Sequence, residues 1–557
     1  GSVTIQDCEL KISPNVSIVV TPNSTLNILG SHLYSCSDMW SGIVVQNDGV
    51  LNISSGKMHA SSLIEDAVIG VEVSGNGTLT SSTYFSSRNT TFNRNYVDVY
   101  IHDYQRNIAS YPFFLTGNVF TCRDIPFTPN SLMWPSTAMV SASVIPSTPL
   151  ATPYIDNAVY SPTSAAAYLK APYSGQKSFI GIRLKNVGYT SGSFVPGGLT
   201  YRELVIGAGG NSQNILDNKV YGIWAFNANF SSYNNVYQNM VQIGKGGSSG
   251  SVGIYAVADH GLMGNLNVNR VRVVPTNTMT GVGNNKFFDC STGMQIENYS
   301  EMYLMHNDIR SQQVNTAPVT VVNHTGQNGI VCKTGKYVWA EISHNKVYNI
   351  ENGISFIATV VSSTNASVPS QQRNGQLNIN DNVIQPHLTG FPITSQYVSN
   401  GIYAASVLLA PPQYSVIGTT SVTITGNKIS KVWRGIYTGN WYKKDVRVQS
   451  NCITMVNDSY GFVQYGIESA NNMPMSAMGV IMYNNNVTGV TGASGKMKGI
   501  WVVQSTQNAV RCNTVGLVSN GIEFSGTSAP CHFLGNTMQN CASGFVLSNN
   551  AIIGQQG

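Results

Sequence analysis

Charged side chains are scarce in this chain: Asp, Glu, Lys and Arg make up 10% of 557 residues, far below the usual quarter. Disorder does not explain the shortage, because disordered chains need charge and few large apolar residues, whereas 42% of this sequence is hydrophobic. The net charge of +5 is spread thinly, without a Lys/Arg-rich run. A nucleic-acid partner therefore has no support. No apolar stretch reaches the roughly 18 residues of a membrane span, so no transmembrane segment is expected. The nine cysteines (Cys8, Cys36, Cys122, Cys290, Cys332, Cys452, Cys512, Cys531 and Cys541) stand singly, with no C-x-x-C and no Cys/His cluster at metal spacing. Neither a metal nor a cofactor is expected. Buried thiols acting as small hydrophobes are the main expectation for these cysteines, and a disulfide within Cys512, Cys531 and Cys541 is the alternative. The chain begins Gly1-Ser2-Val3 without Met or a signal-peptide pattern, and neither end shows a capping amphipathic helix. A piece of a longer protein, flanked by other domains, is the expectation.

Polarity comes instead from Asn, Ser, Thr and 54 Gly, residues suited to tight turns and stacked strands. One pattern recurs: Asn, any residue, an apolar residue, then Gly and an apolar residue eight positions after the Asn. Asn285 leads to Gly293, Asn345 to Gly353, Asn427 to Gly435, Asn513 to Gly521 and Asn536 to Gly544. Apolar pairs precede the Asn by five and three residues, as in Val422/Ile424, Val446/Val448, Leu377/Ile379, Met302/Leu304 and Val480/Met482. That alternation marks a strand with one inward face. Cys290, Ile350, Val432, Val518 and Cys541 are further inward candidates, as are the pairs Ile354/Phe356, Ile522/Phe524 and Phe545/Leu547.

Successive anchors, such as Asn427 and Asn451 or Asn513 and Asn536, lie 22 to 24 residues apart, the length of one coil of three short strands and three turns. Without helical periods between them, such strands cannot form βαβ units. A propeller would need a longer period, and separate sandwiches would not hold one Asn-to-Gly spacing. The pattern therefore predicts a right-handed parallel β-helix, an all-β solenoid with loop insertions. Stacked coils would let each Asn hydrogen-bond to those above and below. Gly at the next corner would supply either positive φ or a close backbone approach. The handedness follows from the general crossover preference. Segment 122–180, rich in Pro, Ser, Thr and Ala, reads as a surface excursion because Pro cannot serve in central strands. The expected organisation is N-terminal coils over 1–121, this flap over 122–180, and the main coils over 181–557.

The N-terminal coils carry Met39-Trp40-Ser41-Gly42-Ile43, then Gly49-Val-Leu-Asn-Ile53, Ile64-Glu65-Asp66-Ala67-Val-Ile-Gly70 and Thr91-Phe-Asn-Arg-Asn-Tyr-Val97. These steps resemble the start of β-helix regions in large secreted proteins of Bacteroidetes. The resemblance covers about 100 residues in detail. It implies a secreted or cell-surface setting, with export by the type IX system through a separate C-terminal sorting domain. It implies no catalytic motif.

Parallel β-helices also host polysaccharide lyases and glycosidases, although fold alone does not assign an activity. Glycoside hydrolysis needs two carboxylates facing across a groove. Acidic residues are sparse, and Glu468 and Glu523 form the candidate pair. They follow Gly-Ile steps with Lys498-Gly-Ile-Trp501 between them, which places them about two rungs, or roughly 10 Å, apart. As outward residues they are expected to be solvated. Arg434 and Tyr437, with Lys443, Lys444 and Arg447 beyond, form the best basic-aromatic group for a lyase. No G-x-S-x-G elbow is present, and the Gly-rich pieces 207–211 and 244–250 read as turns. Asn-x-Ser/Thr triplets at Asn23, Asn52, Asn229, Asn298 and Asn486 would matter only in a glycosylating host.

The residue after each Gly-Ile should face outward, since strands alternate. Trp224, Tyr255, Tyr403, Tyr437 and Trp501 occupy that place. An outward aromatic stripe is either a platform for sugar rings or is covered by the inserted loops. The leading expectation is a non-catalytic module binding a polysaccharide or cell-surface glycan, used for adhesion. The alternative is a polysaccharide-degrading enzyme, either a lyase or a glycoside hydrolase.

Overall fold

A computed structural model describes the chain except for residues 36–37, 60, 78–80, 105–112, 123–177, 193–198, 208–212, 241–250, 259–268, 311–325, 335–338, 349, 360–374, 386–399, 408–418, 442–444, 456–462, 473–479, 492–495, 507, 529–530 and 554–557. Every regular element among the described residues is a strand. No helix is long and apolar enough to cross a membrane. The chain forms two compact units, Gly1–Gly293 and Met294–Gly557. In each unit the strands recur in threes, each pairing in parallel with its counterpart in the next coil, and one antiparallel hairpin, Tyr189–Gly192 with Leu199–Arg202, is inserted in the first unit. The first coil runs Ser2–Gln6, Glu9–Ile12 and Ser17–Val20, opening a first, second and third sheet. The fold is the right-handed parallel β-helix that the periodicity predicts.

The interior is built as the alternation requires. Val422, Ile424, Val446, Val448, Leu377, Ile379, Met302, Leu304, Val480 and Met482 are all fully buried. Along the third sheet of the second unit, Ile354, Ile402, Ile436, Ile467, Ile500 and Ile522 stack in register. Phe545 and Leu547 differ from expectation. Both are exposed, because no described strand lies beyond Ser543–Ser548 to pack over them.

The corner between the first and second sheets carries the Asn ladder. Asn427 donates its Nδ2 to Asn451 Oδ1 at 2.9 Å and to Ile379 O at 2.8 Å, and its backbone N–H reaches the same Oδ1 at 3.0 Å. The same pattern links Asn307, Asn345, Asn382, Asn427, Asn451, Asn485, Asn513 and Asn536. In the first unit it runs Asn118, Asn214 and Asn235, and the backbone N–H of Asn235 continues it to Asn285 Oδ1 while its Nδ2 turns to Ser232 Oγ. Asn214 obeys the eight-residue rule to Gly222 and was legible on that ground. Earlier coils put hydroxyls at this corner: Cys8 N–H donates to Ser31 Oγ, and Ser31 N–H to Ser62 Oγ. In the second unit the residue before the corner is left-handed whatever its type, as at His306, His344, Asp381, Gly426, Ser450, Asn484, Cys512 and Gly535. This turn lets the chain change sheets while the corner amide points inward.

The Gly corner works by close approach. Gly353, Gly401, Gly435, Gly466, Gly499 and Gly521 are not in the left-handed region. A Cβ on Gly401 would meet Gly435 O at 2.5 Å and Ile429 Cγ2 at 2.6 Å. The neighbouring coil's backbone occupies the space a side chain would need.

The N-terminal motifs have clear structural jobs. Trp40 is fully buried and donates its Nε1–H to Glu65 O at 2.7 Å. Gly42 combines a φ of 102° with the Ile69 carbonyl lying where a Cβ would project. Glu65 is buried yet held below the usual carboxylate range. Burial opposes this, but His32 (2.9 Å), Arg94 and Asn93 (2.6 Å) outweigh it. Asp66 accepts from Arg94 Nε and Nη2, each at 3.0 Å.

The flap expected over 122–180 lies outside the described residues except at its ends: Cys122 is buried, and the strand Ser178–Val187 takes in its last three residues. The Gly-rich pieces also lie outside, apart from Gly207 at a φ of 88°. Cys122, Cys290, Cys332 and Cys531 are buried as expected, but Cys8, Cys452 and Cys512 are exposed. Cys512 and Cys541 are free thiols.

Candidate functional site on the outer face of the third sheet

Because Gly sits at a corner and the following Ile points in, two residues per coil point out: the one before the Gly and the one after the Ile. In the second unit these form two columns in register. The first column is Asn400, Arg434, Tyr465, Lys498 and Asn520, and the second is Tyr403, Tyr437, Glu468, Trp501 and Glu523. Tyr403 and Tyr437 stack at 4.7 Å, and Tyr465 and Trp501 at 4.9 Å. The Arg434 guanidinium lies over Tyr437 at 5.3 Å and Tyr465 at 5.6 Å, and the Lys498 ammonium over Trp501 at 4.2 Å. All four rings are half-buried, so the stripe is neither fully exposed nor covered.

Glu468 and Glu523 lie two rungs apart with Trp501 between them, as the spacing predicts. They are not solvated: their exposures are only 6% and 5%. Lys498 Nζ sits 2.9 Å from Glu523, which also accepts from Asn520 (2.8 Å) and Ser548 (2.9 Å). Burial works against the Glu523 carboxylate, but these donors outweigh it and hold its pKa below the ordinary value. Arg434 Nε approaches Glu468 at 3.0 Å without hydrogen-bond alignment. Burial therefore dominates there, and the Glu468 carboxyl is pushed up despite Arg434 and Lys498. Burial, with Tyr403 and Glu468 nearby, raises the Tyr437 phenol to about 12. The charges thus cancel within the face, leaving half-open aromatic planes between buried ion pairs.

In the first unit, Trp224 and Tyr255 are half-buried and in register, with ring centroids 6.4 Å apart. Tyr221 joins them at 5.3 and 5.6 Å. Arg183 lies over both Tyr100 (4.8 Å) and Trp224 (5.2 Å). The outer side here also carries an apolar cluster of Met39, Tyr96, Val97 and Ile180 packed against Tyr100, Phe179, Tyr221 and Trp224.

The five predicted aromatics therefore fall into groups, with Trp224 and Tyr255 in one unit and Tyr403, Tyr437 and Trp501 in the other. Trp501 stacks on Tyr465 and not on Tyr437, because Glu468 takes the intervening rung. Arg434 lies against the rings of Tyr437 and Tyr465. Arg447 does not: it is exposed on the first sheet, in Asp445–Gln449. Lys443 and Lys444 lie outside the described residues. The sequence reading missed Tyr100, Arg183, Tyr221, Tyr465, Lys498 and Asn520. For Tyr221, Tyr465, Lys498 and Asn520 the signal was present, since each immediately precedes a corner Gly.

One carboxyl outside these groups carries a pH signature. Glu351, half-buried in Ile350–Thr359, is raised from 4.5 to about 7 by burial. Its folded state keeps a proton that the unfolded chain releases. Its stabilising contribution is therefore complete below 4.5 and lost as pH rises through about 7. Glu351→Gln is expected to gain melting temperature relative to wild type between about pH 5 and about pH 8. An equal difference at both pH values would contradict this assignment.

Among the described residues, no group of three or more His, Cys, Asp or Glu could hold a metal ion. Compared with protein families and with curated proteins, the chain matches no family model and no curated sequence.

Proposed function

We propose that the chain is a non-catalytic, secreted or cell-surface β-helix module that binds glycan on the outer face of its third sheet. The carrying observation is the pair of half-open ring stacks, Tyr403/Tyr437 and Tyr465/Trp501, set between ion pairs that neutralise one another. Aromatic planes at rung spacing offer apolar faces to sugar rings, and polar edges beside them supply hydroxyl contacts. Internal neutralisation favours a neutral polymer at this place. The N-terminal resemblance to secreted Bacteroidetes β-helix proteins supports the extracellular setting. Adhesion, flanking domains and type IX export belong to the same reading.

A polysaccharide-degrading enzyme is the second reading, favoured by one observation. Glu468 and Glu523 have pKa values pushed in opposite directions, as an acid and a base would. Two rungs of about 4.8 Å place them near the upper limit of an inverting pair. Against it, both carboxylates are buried in ion pairs and the Trp501 ring fills the rung between them. A panel of polysaccharides scored for retention and for cleavage separates the readings. Retention of an intact polymer is expected, and shortening of any polymer would overturn the non-catalytic assignment.

A further inference from the structure

In the second unit the described cations of the two outward columns have their own carboxylates, Arg434 with Glu468 and Lys498 with Glu523. Arg183, in the first unit, does not. It occupies the rung between Tyr100 and Trp224, in register with both, and its guanidinium lies over each ring. No carboxylate among the described residues is within ion-pair distance of it. Glu72 and Asp103, the carboxylates whose charge acts on Tyr100, are engaged elsewhere. Glu72 accepts from His102 Nε2 at 3.1 Å, and Asp103 from His102 Nδ1 at 2.9 Å and Asn186 Nδ2 at 2.8 Å. Arg183 is half-buried, so its hydrogen-bond donors are partly withdrawn from water without being used by any described residue.

We infer that the Tyr100–Arg183–Trp224 stack is a subsite for a carboxylate-bearing sugar, and that the first unit binds an acidic, uronate-containing polysaccharide. A planar guanidinium held between two rings loses little freedom when it binds, and its fork matches a carboxylate with two parallel hydrogen bonds. Lys cannot reproduce that fork. Trp224, with Tyr221 and Tyr255 beside it, continues the surface along the column with apolar faces for the ring of the same or the next sugar. The inference rests on the reading of this face as glycan-binding, but it concerns a separate patch with a different ligand chemistry.

The test is affinity electrophoresis of the whole chain through gels containing polygalacturonate, dextran sulfate or neutral dextran. Wild type is expected to be retarded most by polygalacturonate. Arg183→Gln should weaken that retardation about tenfold or more, as the loss of a charged, bidentate hydrogen bond implies. Arg183→Lys should restore little of it. Lys185→Gln, which removes the neighbouring exposed cation, should leave it nearly intact. Retention on neutral glycans through Tyr437 and Trp501 should be unchanged in every Arg183 variant, which separates failure of this subsite from failure of the general reading. The inference is overturned if wild type prefers dextran sulfate or shows no preference for polygalacturonate. It is equally overturned if Arg183→Gln binds polygalacturonate as wild type does, or if Lys185→Gln loses as much as Arg183→Gln.

Discussion

Asn427→Ala is expected to destabilise the coils around it by about 3 kcal/mol. Asn427 is fully buried and serves three neighbours. Its removal takes the acceptor from Asn382, whose backbone N–H and Nδ2 both bond its Oδ1 at 3.0 and 2.9 Å. It also takes donors from Asn451 Oδ1 and from Ile379 O. Water cannot enter this corner to replace them, so each orphaned group bears its desolvation cost. Because solenoid stability is close to a sum of neighbouring-coil terms, the loss should be local. Hydrogen exchange should quicken first in the strands Gly375–Asn380, Lys428–Val432 and Cys452–Met455. Asn486→Ala, at an exposed strand position, should stay within about 0.5 kcal/mol of wild type. Equal melting of the two variants would remove the ladder from the account.

Gly466→Ala is expected to cost about 2 to 3 kcal/mol by overpacking. The new Cβ would press on Val487 Cγ1 and lie 2.6 Å from the Gly499 carbonyl. The first contact is a side chain and can yield, whereas the second is the backbone of the next coil. Val487→Ala should therefore rescue Gly466→Ala only in part, a coupling that a double-mutant cycle measures. Gly466→Asn distinguishes the two reasons for a glycine. Asn tolerates a left-handed backbone, so it would be accepted if φ were the constraint. Since the constraint is space, Asn should be at least as harmful as Ala, and a mild Asn variant would contradict this reading.

Much of this architecture was legible because a solenoid repeats its physics. Asn345, Asn427 and Asn513 meet the same neighbours in every coil, so one spacing reveals the ladder, the Gly corner and the inward pairs together. The N-terminal coils escaped that rule. Cys8, Ser31, Ser62 and Thr90 stand at the Asn position, and hydroxyls do the work of the amide at Ser31 and Ser62. The left-handed residue before each corner was also hidden, since His344, Ser450 and Cys512 share no chemistry and only the turn demands the conformation.

The site was half legible. Alternation located Trp224, Tyr403, Tyr437 and Trp501, but it turns the residue before the corner Gly inward, so only the recurring place beside that Gly, and not the alternation, marked Tyr465 and Lys498. Nor could spacing tell that Glu468 and Glu523, outward by the same rule, are buried by cross-rung ion pairs. That follows from long Arg434 and Lys498 side chains lying over the neighbouring rungs.

The central claim is that the outer face of the third sheet in the second unit holds a neutral glycan on its stacked rings and leaves it uncut. The direct measurement is the mobility of wild type and of Tyr437→Ala/Trp501→Ala in gels containing each neutral polysaccharide that retains wild type, with the polymer's chain length read afterwards. The account predicts retardation of wild type, a loss of at least about tenfold in the double variant, and unchanged polymer length. A double variant retarded as strongly as wild type, or a polymer shortened by wild type, would contradict it.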